Sequence, residues 1–299
     1  MTGKTLRWSL SPKAYRRLTL VALVALGVIV VTGAAVRLTG SGLGCPQWPN
    51  CNTGHLSPHG TTGYHGAVEF VNRMFTGLVS VLVILAVLAA LVRDPRRRDL
   101  TWLSVGLVVG VVAQIVLGGL VVLFGLSPPW VMAHFAVSML LVADAVVLHH
   151  RAGLPSDESP LIRTQRRVRI RGIWMGWVLV VLAALVILAG TVVTGTGPHG
   201  GDEHVRRLGF GVTSVARVHG VLVMLFLATV LVTFRLLVRE RAPVALWHAA
   251  EVLIAVIVAQ AFVGYVQYFS GVPEVLVAVH IVGAVAVWVA TLRFVLQLT

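Results

Sequence analysis

The sequence predicts an all-α integral membrane protein with eight transmembrane helices, arranged as two pseudo-symmetric four-helix bundles. Three observations support this prediction: the composition, the spacing of apolar blocks and an internal repeat. The chain has 299 residues, of which 57% are hydrophobic and only 12% charged, and its mean hydropathy is +0.90. A soluble domain of this length exposes too large a polar shell for such a composition. Lipid must therefore cover much of the surface.

The apolar residues fall in unbroken blocks of about 20, the length with which a helix crosses a hydrocarbon core of roughly 30 Å. Because lipid offers the backbone no hydrogen-bond partner, such blocks indicate helices. The first block follows a basic N-terminus, as a signal peptide would, but no cleavage site clearly follows it, so it is predicted to be a span. The eight predicted spans cover residues 18–37, 67–92, 101–123, 130–149, 173–194, 212–234, 245–269 and 275–295.

The net charge of +13 is concentrated in alternate connections between the spans. Basic residues precede span 1, beginning with Lys4 and Arg7, and they fill the loops after spans 2, 4 and 6. The segment 38–66 and the loop between spans 3 and 4 contain none. This alternation is the positive-inside pattern. It predicts a multi-pass protein of the cell (plasma) membrane with both termini cytoplasmic, and it makes the lipid bilayer, not nucleic acid, the partner of the basic residues.

The chain contains two cysteines, Cys45 and Cys51, in the sequence CPQWPNC of the first outer loop. On the topology above, this loop faces the oxidising side of the membrane. Five intervening residues, two of them prolines, make a small loop that a disulfide would close. Both a structural disulfide and a redox-active dithiol fit this pattern. A zinc site does not fit, because the spacing is not CxxC and no second pair exists.

Spans 3 and 4 are repeated in spans 7 and 8. Each pair runs 20 positions from a glutamine to a histidine, Gln114 to His134 and Gln260 to His280, and breaks at proline in the same place. Spans 1 and 5 also end alike, in VVTGAAVRLTGSG and VVTGTGPHG. Four spans are an even number, so the halves have the same orientation and are related by an axis along the membrane normal. The predicted units are residues 1–150 and 151–299.

The repeat spacing of 146 residues between His134 and His280 places Asn72 opposite His219, within one residue. The second half thus has two intramembrane histidines, whereas the first has one histidine and Asn72. A histidine in a span either bonds a neighbouring helix or serves a function, because an unpaired polar group is costly there. Two neutral imidazoles at equal depth on adjacent, facing helices of one bundle favour axial ligation of haem iron. Zinc would need four ligands, and no cysteine or carboxylate accompanies the pair.

Span 2 also carries an acid and a base beside Asn72. Glu69 precedes it by three residues and Arg73 follows directly, so the two can share a helix face. The equivalent residues of the second half are Ala216 and Gly220. An incompletely ligated haem leaves room for chemistry, whereas a bis-histidine haem stores and passes electrons. An ion pair between Glu69 and Arg73 is the alternative, and it is compatible with a catalytic role.

These residues together resemble the heme A synthase family, and the likeness covers essentially the whole chain. The cysteine loop GSGLGCPQWPNC is similar to that of the family. The family's E-x-x-H-R motif on span 2 reads Glu69-Phe-Val-Asn72-Arg73 here. The family's histidines on spans 4, 6 and 8 correspond to His134, His219 and His280.

The resemblance implies a haem-dependent oxidoreductase that oxidises the ring methyl of haem o to the formyl of haem a, for assembly of terminal cytochrome oxidase. It implies that His219 and His280 bind the iron of a haem b cofactor and that His134 binds the iron of the substrate haem. Glu69 and Arg73 would be the catalytic residues. Haem o synthase and an electron acceptor are the implied partners. The cysteine loop would brace a lid over the first site or relay redox state to it.

Asn72 departs from the family's motif and leaves the sixth ligand of the first-half haem open. Asparagine is a poor iron ligand, so it would line the substrate pocket while His134 holds the haem alone. A di-haem cytochrome that only transfers electrons is the alternative function, but it predicts a second complete bis-histidine site. A transporter built from repeats is a third reading, and it has no use for histidines at the outer ends of spans.

Overall fold

The computed structural model describes residues 9–59, 63–155 and 170–298, and within these ranges all eight predicted spans are α-helices. Each helix is long and apolar enough to cross a membrane, which confirms the predicted fold class. Lys4, Arg7 and most of the basic segment between spans 4 and 5 lie outside the described residues. The helices are α1 Pro12–Leu38, α2 Gly63–Val92, α3 Arg98–Leu123, α4 Pro128–Ala152, α5 Ile170–Thr196, α6 Val212–Arg239, α7 Val244–Phe269 and α8 Glu274–Leu298.

The repeat extends to the turns that join α3 to α4 and α7 to α8. Each turn contains a glycine and then a larger residue in the left-handed region: Gly125 and Leu126 have φ of 59° and 57°, and Gly271 and Val272 have φ of 79° and 62°. The amide of the larger residue donates to the carbonyl five residues earlier, at 2.8 Å in both turns. This is the hydrogen-bond pattern of a glycine-assisted helix C-terminus. Both turns therefore reverse the chain in the same way.

The helices of each half pack in the same cyclic order. In the first half, α1 contacts α2, α2 contacts α3, α3 contacts α4 and α4 contacts α1, while no Cα atoms of the diagonal pairs lie within 8 Å of each other in the described ranges. The second half repeats this order from α5 to α8. Contacts between the halves join α4 to α8, α1 to α8 and α4 to α5. Exchanging the halves leaves this set unchanged, so the packing is consistent with two pseudo-symmetric four-helix bundles.

Polar side chains in the helix interfaces satisfy one another, as the absence of water in a bilayer requires. Tyr15 of α1 and Ser104 of α3 share a hydrogen bond of 2.9 Å between their hydroxyl groups. Trp288 Nε1 of α8 donates to the Met139 carbonyl of α4 across the interface between the halves, at 2.8 Å. Large apolar side chains on the outer faces of the helices are exposed, which suits contact with lipid.

Candidate functional site

The predicted site residues lie near the end of the bundle where the loops α1–α2, α3–α4, α5–α6 and α7–α8 meet, called here the cysteine-loop face. The glutamine–histidine repeat produces the same contact in both halves. Gln114 Nε2 donates to the backbone carbonyl of His134 at 3.0 Å, and Gln260 Nε2 donates to that of His280 at 2.7 Å. The paired glutamines therefore fix the helix segments from which the two histidine side chains project.

Each of the four repeat-related polar side chains lies against a glycine of the preceding helix. A methyl group at Gly190 or Gly264 would crowd the histidine ring, whereas one at Gly33 or Gly118 would make an ordinary van der Waals contact, so the second-half rings depend most on glycine. The pairs, with the distance from such a methyl to the nearest side-chain atom, are Gly33–Asn72 at 4.0 Å, Gly118–His134 at 3.5 Å, Gly190–His219 at 3.3 Å and Gly264–His280 at 3.0 Å.

The sequence match between the ends of spans 1 and 5 does not mark equivalent positions. It aligns Gly33 with Gly195, but Gly190 is the glycine that faces His219. Gly195 packs instead against Leu208 and Pro128. Helix α1 continues five residues beyond Gly33, whereas α5 ends one residue after Gly195. The motif VVTG therefore recurs at different depths in α1 and α5. The glycine that contacts the histidine ring, and not the motif, identifies the equivalent positions of the two helices.

The two histidines of the second half come from α6 and α8, which are diagonal in the bundle and not adjacent as predicted, and their rings meet inside the bundle. Their centres are 6.4 Å apart and their planes are inclined by 66°. Nδ1–H of His219 donates to the Val186 carbonyl of α5 at 3.1 Å, which fixes the tautomer and leaves Nε2 as a free electron-pair donor. Nδ1 of His280 is buried and has no hydrogen-bond partner.

This geometry fits a haem between the two rings. Two imidazoles that bind one metal ion from opposite sides, each at about 2 Å, have centres roughly 6 Å apart. Within the part of the chain that the structure describes, no group of three or more His, Cys, Asp or Glu side chains is arranged to hold a metal ion. A metal at His219 and His280 would have to bring its other ligands with it, as the iron of a porphyrin does.

The first half presents one imidazole and one amide. Nδ1 of His134 is buried without a hydrogen-bond partner, as in His280. Asn72 Oδ1 accepts a hydrogen bond of 2.8 Å from the Thr32 hydroxyl of α1. The amide oxygen is thus directed toward α1, and His134 is the remaining candidate for an iron ligand in this half.

Glu69 and Arg73 form the expected ion pair, and both also bind the cysteine loop. The Glu69 carboxylate is 6% exposed; its Oε1 accepts from Arg73 Nη2 at 2.5 Å, and its Oε2 accepts from the Cys45 amide at 2.7 Å. Arg73 donates further to the carbonyls of Cys45, at 3.0 Å, and Asn50, at 3.1 Å. Longer contacts reach two other carbonyls of the same loop. The pair is therefore a clamp on the loop, a role that the sequence analysis did not anticipate.

Cys45 and Cys51 are bonded to each other and fully buried. Between them, Trp48 lies against α3, where a methyl group at Gly119 would be 2.7 Å from the indole Cδ2. The neighbouring residue Gly118 faces His134. The cysteine loop thus covers the cysteine-loop face of α3 beside the glycine that faces His134, and its role as a lid stays a prediction.

Two arginines that the sequence analysis did not single out, Arg37 and Arg207, lie at the cysteine-loop face of the second half. Both donate to backbone carbonyls near the end of α5. The sequence contained a signal for Arg207, since Arg206 and Arg207 interrupt the loops that the charge pattern otherwise leaves without basic residues.

The fold and the site define an eight-span, all-helical membrane protein with a histidine pair suited to haem and a second, single-histidine site. The family model described as "Cytochrome oxidase assembly protein" matches residues 16–198, and the chain belongs to this family. The matches below confirm the resemblance to the heme A synthase family that the sequence motifs indicated.

Curated proteins named "Heme A synthase" match part of the chain. The protein of Bacillus pumilus is 33% identical over 137 residues, which are 45% of this chain and 44% of the relative. That of Listeria monocytogenes (serotype 4a) is 31% identical over 131 residues, 44% of this chain and 43% of the relative. That of Bacillus licheniformis is 31% identical over 137 residues, 46% of this chain and 44% of the relative. Each match spans less than half the length of the relative.

Proposed function

We propose that this chain is a heme A synthase, which oxidises the ring methyl of haem o to the formyl of haem a. The observation that carries the proposal is the inequality of the two halves. His219 and His280 lie 6.4 Å apart between ring centres, whereas His134 shares its half with Asn72, whose amide oxygen is bonded to Thr32. One half suits a permanent electron carrier and the other a substrate. The names of the relatives point to the same activity.

His219 and His280 would hold haem b, which supplies one-electron acceptance when bound. The hydrogen bond from His219 Nδ1–H to the Val186 carbonyl orients the ring and raises its donor strength. The carbonyl bond from Gln260 fixes the segment of α8 that carries His280. Both hydrogen bonds join groups of the protein, so the His219 ring and the helix segment that carries His280 would be positioned before haem b binds.

In the first half, His134 would hold the substrate through its iron. Converting a methyl and a water molecule to a formyl group releases four electrons and four protons, which a membrane electron acceptor takes up through haem b. The disulfide-closed loop, held by Glu69 and Arg73, would keep bulk water out of this half and orient the substrate beneath Trp48. We assign this shielding to the loop because Trp48 packs on α3 beside the glycine that faces His134.

Glu69 is the proposed catalytic carboxylate and Arg73 its positioning partner. A carboxylate can accept about four hydrogen bonds, and the Glu69 carboxylate already accepts three, from the Cys45 amide and from Arg73. The remaining acceptor position would orient the attacking water or stabilise positive charge that develops at the methyl carbon. Arg73 keeps the carboxylate charged and in place by its two bonds to Oε1.

Expression of the chain beside a haem o-producing enzyme, followed by pigment extraction, tests the activity. We expect haem a only when both are present. Glu69→Ala should retain haem b but lose most haem a formation, and unchanged haem a formation would contradict the role of this carboxylate. Low-spin haem b without any haem a from the unaltered chain would instead favour the di-haem cytochrome.

Because Glu69 also binds the Cys45 amide, its replacement could act through the loop. Glu69→Gln is the matched control, since its amide oxygen can still accept from that amide while the charge is lost. Alkylation of free thiols reports whether Cys45 and Cys51 stay bonded in each variant. A closed loop with low haem a yield in Glu69→Gln assigns the loss to the charge.

A further inference from the structure

Arg37 and Arg207, which the proposed function does not use, hold one short segment at the end of α5 from two sides. Arg37 Nη2, at the end of α1, donates to the Thr194 carbonyl at 3.0 Å and to the His199 carbonyl. Arg207 Nη2, in the α5–α6 loop, donates to the Pro198 carbonyl. A first-half residue and a second-half residue thus bring their guanidinium groups to the same place.

Two glycines make room for these side chains. A methyl group at Gly200 would lie 2.8 Å from Arg207 Cζ, and one at Gly201 would lie 3.3 Å from Arg37 Cγ. Gly201 has a φ of 101°, which side-chain-bearing residues rarely adopt, and its carbonyl accepts from the Gly42 amide at 3.0 Å. The segment is therefore shaped to lie between the two arginines.

The positive charges of this pair have no ion-pair partner among the described residues. Two acids of the same face have other contacts, Asp202 with the His204 amide and Glu274 near His199. A third, Glu203, is exposed and forms no ion pair with either arginine. Burial lowers the pKa of the Arg207 guanidinium from its usual value. Their position also opposes the positive-inside pattern, so membrane topology does not explain them.

Most donors of the two guanidinium groups remain free. A guanidinium has five N–H donors, and within the described ranges only the Nη2 atoms of Arg37 and Arg207 make hydrogen bonds. A planar fork with free donors matches a carboxylate, to which arginine binds through two parallel hydrogen bonds. An anion with carboxylate groups is thus the ligand that this pair suits.

The pair lies nearer the cysteine-loop face than His280 of the second half does. Nε2–H of His199, whose carbonyl binds Arg37, donates to the Val272 carbonyl at 2.7 Å, just before α8 begins at Glu274. His280 follows six residues into α8, which is about 9 Å deeper at the rise of a helix. A haem carries two propionate carboxylates on one edge of its ring. If a haem at His219 and His280 points this edge toward the cysteine-loop face, its carboxylates reach about the same depth as Arg37 and Arg207.

We propose that Arg37 and Arg207 bind the propionate carboxylates of the haem held by His219 and His280. This inference rests on the haem b site of the proposed function. It assigns to Arg37, at the end of α1, a part in a site that is otherwise built by the second half. Haem b would then join the two halves at the cysteine-loop face.

The test uses the purified chain with haem b bound and the variants Arg37→Gln, Arg207→Gln and the double variant. Arg206→Gln is the matched control, because Arg206 is the neighbouring residue and is exposed. The rate of haem transfer to an excess of a haem-scavenging protein should rise about tenfold for each single variant and further for the double variant. The reduction potential of haem b should fall, since lost cations no longer oppose the ferric charge. Arg206→Gln should leave both unchanged.

Haem b dimethyl ester, in which both propionates are esterified, tests the same contact without any substitution. The unaltered chain should release the ester about as fast as the double variant releases haem b. Two outcomes would show that the arginines only bind the backbone. The first is that the unaltered chain retains the ester as well as it retains haem b. The second is that the double variant retains haem b as well as Arg206→Gln does. Unchanged haem b binding in His219→Ala is a separate outcome, which overturns the haem site and the proposed function together.

Discussion

Replacing Gly264 with alanine should weaken haem b binding, because this glycine provides the space that the His280 ring occupies. A methyl group at residue 264 would lie 3.0 Å from His280 Cε1, whereas carbon atoms pack at roughly 3.5–4.0 Å. The ring must therefore retreat from α7 by a few tenths of an ångström. Overpacking of this kind costs about 1–3 kcal/mol, and a cost borne by the bound state lowers the affinity by about five- to 150-fold. Titration of the haem-free chain with haem b, followed by low-spin absorbance, measures this change.

Gly220→Ala is the matched control for that substitution. Gly220 follows His219 in α6, but a methyl group there meets no neighbouring atom within 4 Å. Alanine should improve helix propensity by about 1 kcal/mol at either position, so the control separates this gain from the clash. Haem b affinity and spectrum in Gly264→Ala equal to those of Gly220→Ala would refute the idea that the glycine positions the ligand ring.

Three further substitutions test other parts of the molecule. Asn72→His should give the first half a second imidazole, so that a second low-spin haem appears in absorbance spectra while haem a formation falls. A single low-spin haem with undiminished haem a formation would contradict this prediction. Gly119→Ala should displace Trp48, since the added methyl lies 2.7 Å from its indole, and extraction should show less haem a with normal haem b; an unchanged haem a yield would remove the lid role. Asp144→Asn, in α4, should raise the thermal unfolding temperature in detergent by a few degrees. Charge is costly in a span, and no hydrogen bond or ion pair of the Asp144 carboxylate is found among the described residues. A lower unfolding temperature would contradict this reasoning.

The sequence predicted the helices and much of the repeat because both depend on local patterns. Unbroken apolar blocks dictate helices in lipid, and all eight are present in the described ranges. The spacing of 20 positions from Gln114 to His134 recurs from Gln260 to His280, and in both halves the structure shows the glutamine donating to the histidine carbonyl. This spacing spans one helix end, a short turn and one helix start, so little loop geometry intervenes. Helix ends joined by short turns are where a sequence is most informative.

Contacts made through longer loops were beyond such patterns. The i to i+4 spacing predicted the pair of Glu69 and Arg73, and the structure contains it. The same spacing does not predict that Arg73 also donates to the carbonyls of Cys45 and Asn50. Those bonds form because the cysteine loop folds back over α2. The VVTG match failed for a related reason. In an apolar helix many short motifs recur, and only the neighbouring helix determines which glycine, here Gly190, faces a histidine.

The difference between the halves is confined mostly to α2 and the loop before it. Thr32 of α1 donates to the Asn72 amide oxygen, whereas His219 at the equivalent position donates to a carbonyl of α5. In both halves this side chain is thus tied to the preceding helix, but only the imidazole can bind iron through its remaining nitrogen. Glu69 and Arg73 appear on the same helix, where they bind the cysteine loop and each other. A bis-histidine haem in the first half would need an imidazole where Asn72 stands, whereas a single iron ligand beside an acid and an arginine leaves room for chemistry at the haem. Together with the clamped loop they are the elements that a site for reaction on a haem needs, which is why we place the substrate in the first half.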